Sequence, residues 1–179
     1  MPVSSVRSPR LRIIANGSCI PGALEANVSS NNHRAADCFH FALALAADPT
    51  AASFWTGTTD ILVDVQMSLD GTAYTSVIQG LVDRVEVALM QGLIQVEGRD
   101  LTAGLIEART QETFSNRTSS EIAQILADRH GLGSQITPTS TPVGRYYQVE
   151  HDRITLGQFS RATTEWDLLT YLAQQVLRL

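Results

Sequence analysis

The sequence predicts an α+β protein. A small antiparallel β-barrel or sandwich is expected over residues 1–98, followed by a smaller helix-rich α/β portion over residues 99–179. Three observations predict it. Apolar and polar residues alternate through most of the first hundred positions, which is the period of a half-buried strand. After Gly98 the period lengthens to that of a helix. Hydrophobic residues make up 44% of the 179 positions and charged residues 17%, enough apolar material for a sizeable core.

The strands follow in order. "RLRIIANG" reads as a first strand ending in an Asn-Gly turn, and "ALEANVSSNN" as a second ending in a turn cluster. "DCFHFALAL" places Phe39, Phe41, Leu43 and Leu45 on one face. "DILVDVQMSLDG" does the same with Ile61, Val63, Val65 and Met67, then closes at Asp70-Gly71. "SVIQGLVDRVEVALMQGLIQVEG" reads as a long hairpin around Gln91-Gly92, with Val85, Val87 and Leu89 sharing a face. Five or six antiparallel strands at this spacing suggest a barrel or sandwich.

Helices come next. In "VEGRDLTAGLIEA", Gly98 ends a strand and Asp100 is placed to cap a short helix. "TSSEIAQILADRHGL" carries a capping box, Thr118 with Glu121, and a stripe of Ile122, Ile125 and Leu126. Gly131 supplies the left-handed residue that closes this helix, with Leu132 folding back. "RYYQVE" reads as a strand. "TTEWDLLTYLAQQVL" is a second helix, capped by Thr164 and Asp167, with Trp166, Leu169, Leu172 and Val176 as its stripe.

Composition excludes several function classes. The formal net charge of -5 argues against a basic nucleic-acid-gripping surface. All 13 positive residues are Arg, which points to a GC-rich bacterial or phage gene. Cys19 and Cys38 fit no zinc or redox spacing and are expected to be buried or half-buried thiols. No signal-peptide pattern opens the chain, and "CFHFALALAA" is about half a membrane span. No membrane insertion is expected, and synthesis in a cytoplasm is.

A search for chemistry finds no catalytic, cofactor-binding or metal-binding constellation. His33, His40, His130 and His151 belong to no metal-ligand spacing. His151-Asp152 lacks a serine in a nucleophile-elbow context. Glu97, Asp100 and Glu107 are close enough in sequence to suggest a pair of hydrolytic carboxylates. Two of them also have a structural reading, Asp100 as a helix cap and Glu97 pointing away from Val96. The glycines form no phosphate loop, and aromatics are too few for a base-stacking platform.

Three blocks in order carry a resemblance: "VEGRDLTAGLIEA", "RTSSEIAQILADRHGL" and "ITLGQFSRATTEWDLLTYLAQQ". Over about residues 75–175 they resemble the baseplate hub proteins of contractile-tailed phages, the late control protein D family. That family is related to the valine-glycine repeat spike proteins of type VI secretion. The resemblance implies a non-enzymatic structural protein of the virion tail, assembled in the host cytoplasm. Its first part would be a tail-tube-like barrel, and residues from about 100 an inserted α/β portion. The implied partners are further copies of itself, the tail tube or distal tail protein, the central spike or tip protein and the tape measure protein. DNA would pass through the channel only as cargo. No cofactor is implied.

The sequence departs from the family by ending at "LAQQVLRL", where a hub chain continues into a second barrel. The resemblance favours a homotrimer, and the missing second barrel raises the alternative of a homohexamer with one barrel per chain. The structural and interface candidates are Gly98, Arg99, Asp100, Thr118, Glu121, Gly131 and Trp166. Arg99 is expected to be a salt-bridge partner at the barrel–helix seam or a subunit contact. The competing readings are a tail-associated peptidoglycan hydrolase using Glu97 or Asp100, and a type VI secretion spike.

Overall fold

Asn16 and Gly17 both adopt left-handed backbone, with φ of 47° and 81°. Two such residues in a row make the tight hairpin turn whose twist suits the flanking strands. Strand β1, Arg10–Ala15, thereby folds back into β2, Ser18–Ile20. The computed structural model describes residues 8–31, 35–48, 51–110, 112–143, 145–146, 154–156 and 164–176. The chain divides into two compact units, one through Leu101 and one from Thr102.

The first unit continues with β3, Ala23–Ser29, and β4, Cys38–Ala44. A short helix α1, Ala51–Gly57, precedes β5, Leu62–Ser68, β6, Thr75–Ala88, and β7, Leu93–Asp100. They form one antiparallel seven-stranded sheet in the order β2-β1-β5-β6-β7-β4-β3. The two edge strands are consecutive in the chain, joined by Pro21-Gly22. Seven flat strands would hold their edges ~29 Å apart, whereas the step from Ile20 to Ala23 reaches about 11 Å at most. The sheet must therefore curl, and β1 and β3 indeed come within 8 Å.

The sequence reading expects a closed barrel, and the curled sheet is not one. Among the described residues no ladder pairs β3 with β1 or β2. The chain bends there at Gly22, whose φ is +81° and where a Cβ would lie 2.5 Å from the Ala47 side chain.

The concave face holds the core. Ile13, Phe39, Phe41, Leu43, Val63, Val65, Ile94 and Val96 are buried at alternating strand positions. Helix α1 adds Ala51 and Trp55. The Trp55 ring lies edge-on to Phe41, with centroids 5.8 Å apart, and to Phe54 at 5.2 Å. Sequence periodicity misses α1, since seven residues give two turns and too few repeats to register.

Periodicity also fails at strand ends. Met67 shares parity with Ile61, Val63 and Val65 yet is 46% exposed. A register shift after Val65 breaks the alternation there. Leu89 does not join Val85 and Val87 because β6 ends at Ala88 and Leu89 enters the turn. Leu45 lies just past β4 in a short 3-10 turn, Leu45–Ala47. Cys19 and Cys38 are exposed free thiols rather than buried ones. Cys19 lies on the short edge strand β2, and Cys38 opens β4 on the face opposite Phe39.

The second unit contains α2, Ala103–Glu107, α3, Ser119–Arg129, and α4, Glu165–Val176. Three short strands, β8, Phe114–Ser115, β9, Arg145–Tyr146, and β10, Ile154–Leu156, pair in the order β8-β10-β9. Leu105, Phe114, Ile122, Leu126, Leu168 and Leu172 form its core. Among the described residues no helix is long and apolar enough to cross a membrane.

Candidate functional site

The strand-to-helix corner differs from the sequence reading at two residues. Gly98 does not end its strand, because β7 runs on to Asp100. Asp100 is not the residue at the N-cap position of α2. The residue before that helix is Thr102, which makes no side-chain cap bond, and Asp100 pairs with Gly80 across the sheet. Glycine is required at 98 because of space. A Cβ there would sit 2.3 Å from both the Leu81 carbonyl oxygen and the Phe39 ring. Gly80 is tighter still, with a Cβ meeting the Arg99 carbonyl oxygen at 1.9 Å.

Arg99 donates from Nε to Asp83 at 2.7 Å and from a terminal nitrogen at 2.9 Å, a two-pronged carboxylate grip. Asp83 is the extra residue of a β-bulge in β6, since Val82 faces Gly98 while Arg84 faces Glu97. A bulge re-aims a side chain, which is why period-two alternation hides this partner. The Arg99 hydrogen bond holds the Asp83 carboxyl below its ordinary range. Beside it on the same sheet Arg84 pairs with Glu86 at 3.1 Å and approaches Glu97 at 4.0 Å. These pairs all lie within the first unit.

The proposed hydrolytic carboxylates do not form a pair. Glu97 and Asp100 are three positions apart on one strand, so they point to opposite faces of the sheet. Two carboxyls that flank a glycosidic bond must share a cleft. Glu107 is exposed on α2.

In the second unit Thr118 and Glu121 make the reciprocal cap of α3. The Thr118 hydroxyl accepts from the Glu121 amide at 3.3 Å, and the Glu121 carboxylate accepts from the Thr118 amide at 2.9 Å. At the other end Gly131 has φ 64°. Its amide donates to the Asp128 carbonyl at 3.1 Å, and the Leu132 amide donates to Ala127 at 2.9 Å. Those are the two bonds of a Schellman close. Trp166 is partly buried against the second core, and its indole N–H meets no acceptor among the described residues.

Sequence reasoning misses a charged cluster here. Glu165 is 3% exposed and opens α4. One of its oxygens takes a hydrogen bond from Arg129, and the other lies 2.5 Å from His130 Nε2. Arg129 also holds Glu112 at 2.6 Å, and its two carboxylate partners raise the pKa of its guanidinium. A Cβ on Gly104 would come within 3.0 Å of His130 Nδ1, so α2 packs against the second ring nitrogen. The ring thus pairs with Glu165 of α4 through Nε2 while its other edge packs against Gly104 of α2. The only sequence signal is the adjacency of Arg129 and His130 at a helix end. His33, His151 and Asp152 lie outside the described residues. No metal-ligating cluster occurs among the described residues.

Two solved structures share this fold. One is the 43 kDa tail protein of prophage MuSo2 from Shewanella oneidensis, with a TM-score of 0.61 at 20% identity. The match covers 94% of this chain and 49% of that one. The other is a tail protein from Neisseria meningitidis MC58, with a TM-score of 0.60 at 18% identity, covering 94% of this chain and 45% of that one. The fold is thus one found in phage tail proteins, and the chain spans about half the length of the two tail proteins it matches. No family model and no curated protein sequence matches it.

Proposed function

We propose that the protein is a structural component of a phage or phage-like tail. One observation carries this reading. The sheet unit and the helical unit together, 94% of the chain, match about half of each of two tail proteins. Fold alone does not fix function, but here the chain order of the sequence blocks points the same way. "VEGRDLTAGLIEA" runs from the second half of β7 through α2, "RTSSEIAQILADRHGL" contains α3, and "ITLGQFSRATTEWDLLTYLAQQ" holds β10 and all but the last residue of α4.

Within the tail, the role is that of a baseplate hub. The curled, open sheet takes the tube-facing position of the hub, and copies assemble as a ring between the tail tube and the central spike, lining the channel for DNA. Closed rings are the ordinary outcome of repeated head-to-tail contacts. The hub has no catalytic step of its own. Its place is in the virion, with the distal tail, tape measure and tip proteins as neighbours.

Deleting the gene in its native phage or prophage tests the reading. Electron microscopy should show tails arrested before the baseplate or absent. Complete, infectious tails without the protein would sink it.

A further inference from the structure

Asn16-Gly17 is the one Asn-Gly pair in the chain, and it forms the exposed two-residue turn between β1 and β2. An asparagine side chain reacts most readily with the backbone of a following glycine, whose nitrogen no Cβ shields. The Gly17 nitrogen gives up its proton and bonds to the Asn16 Cγ. The bond from Cγ to the side-chain nitrogen breaks, and that nitrogen leaves with the proton as ammonia. Water then opens the five-membered ring. Opening at one carbonyl gives aspartate at position 16. Opening at the other gives an isoaspartyl link, in which the main chain runs through the side chain.

The turn holds the reacting atoms apart. Asn16 has φ 47° and Gly17 φ 81°. Left-handed backbone carries a ψ of about +30 to +60°, which turns the Gly17 nitrogen nearly opposite the Asn16 Cβ about the Cα–C bond. Ring closure needs that nitrogen on the same side as Cβ. Asn16 is also fixed twice to the start of β5. Its backbone amide donates to the Leu62 carbonyl at 2.9 Å, and its Oδ1 accepts from the Leu62 amide at 2.9 Å. Beside the turn, Ala15 pairs with Ser18 on β2 and with Val63 on β5.

We propose that Asn16 is a self-modification site gated by the fold, reacting only from molecules in which the β1–β2 turn has come away from Leu62. That opening is local. Strand β2 has three residues and lies at the sheet edge, and such segments open at lower free energy than the whole domain. The two products differ in consequence. Aspartate keeps an oxygen acceptor for the Leu62 amide and suits a left-handed turn. The isoaspartyl link adds a main-chain carbon to a turn whose length fixes the register. The pairing of Ile13 with Ile20 and of Ile14 with Cys19 must then shift or break. Strand β2 leads through Pro21-Gly22 to β3 at the opposite edge, so the damage falls where the sheet curls back on itself.

The test incubates the full chain at mildly alkaline pH, once in buffer and once in guanidinium chloride above the unfolding transition. Peptide mapping by mass spectrometry follows Asn16. Product should accumulate freely in the denaturant. In buffer it should form on the order of ten- to a hundredfold more slowly, the factor expected for opening a few hydrogen bonds. Exchange of the Leu62 amide in the folded chain reports release of the same Oδ1 contact. The suppression should equal or exceed the protection of that amide.

A folded rate equal to the unfolded one, or a suppression smaller than the Leu62 protection, would mean that the closed turn reacts and would overturn the gate. No product in the denaturant would remove the site itself. Purified isoaspartyl protein should lose amide protection in β1 and β2, whereas Asn16→Asp should keep it. Equal behaviour of the two would overturn the register argument.

Discussion

Arg99 and Asp83 meet through two hydrogen bonds, at 2.7 and 2.9 Å, because a bulge in β6 turns Asp83 toward its neighbour strand. The pair is about a third exposed, with side-chain accessibilities of 35% and 42%. Solvent screening therefore limits it, and Arg99→Ala should cost roughly 0.5–1 kcal/mol by urea unfolding. Arg99→Lys should not restore the loss, since an ammonium cannot make the planar two-point contact. Equal stability of the Lys and Arg proteins would show that the geometry contributes nothing.

The same pair makes stability depend on pH. The folded Asp83 carboxyl titrates below its ordinary value, the Arg99 hydrogen bond being the largest cause. Its contribution is complete above the unfolded value of about 4 and is lost as pH falls through the lower folded value. Asp83→Asn should flatten the acid limb of the stability curve and leave its neutral part parallel to that of wild type. Unchanged acid sensitivity in the variant would count against this assignment.

Gly98→Ala and Gly80→Ala should both destabilise the first unit. In each case the new methyl meets backbone oxygen, at 2.3 Å for position 98 and 1.9 Å for position 80. Backbone in mid-sheet cannot step aside cheaply, so the loss should reach at least about 1–3 kcal/mol, as in overpacked cores. Thermal unfolding followed by Trp55 fluorescence in a Trp166→Phe background reads this unit. A melting temperature within a degree of wild type would refute the packing argument.

The ends of α3 permit separate tests. Thr118→Ala removes the hydroxyl that accepts from the Glu121 amide and should cost about 1 kcal/mol. Gly131→Ala places a Cβ on a left-handed residue and should cost about 1–2 kcal/mol. Hydrogen exchange should quicken in α3 while the β5 and β6 amides stay protected. Uniform acceleration across both units would mean they unfold as one.

Glu165→Gln keeps the shape of the second-unit cluster and removes its buried charge. Arg129 is 41% exposed by side chain and retains Glu112, so the loss should be about 1–3 kcal/mol rather than that of a stranded buried ion. Glu112→Gln, at a more exposed carboxylate, should cost under about 1 kcal/mol. Denaturant titrations of the two variants compare them directly, and the reverse order would mean that Glu165 is not the centre of the cluster.

What the sequence determines is local. Alternation places Phe39, Phe41, Val63, Val65, Ile94 and Val96 on the buried face, because strand geometry sends every second side chain the same way. The Asn16-Gly17 turn, the Thr118–Glu121 cap and the Gly131 close are legible because each depends on contacts a few residues apart. Tertiary structure decides what depends on register and on distant chain. The Val82/Arg84 bulge chooses Asp83 for Arg99, and the fold of the second unit brings Glu165 to residues 35 and 36 positions away. The two-residue link at Pro21-Gly22 curls the whole sheet, since only curvature lets consecutive strands stand at opposite edges. Gly98 shows the difference at one residue. As sequence it resembles the end of a strand; in the fold it lies inside β7, where the Phe39 ring and the Leu81 carbonyl leave no room for a methyl group.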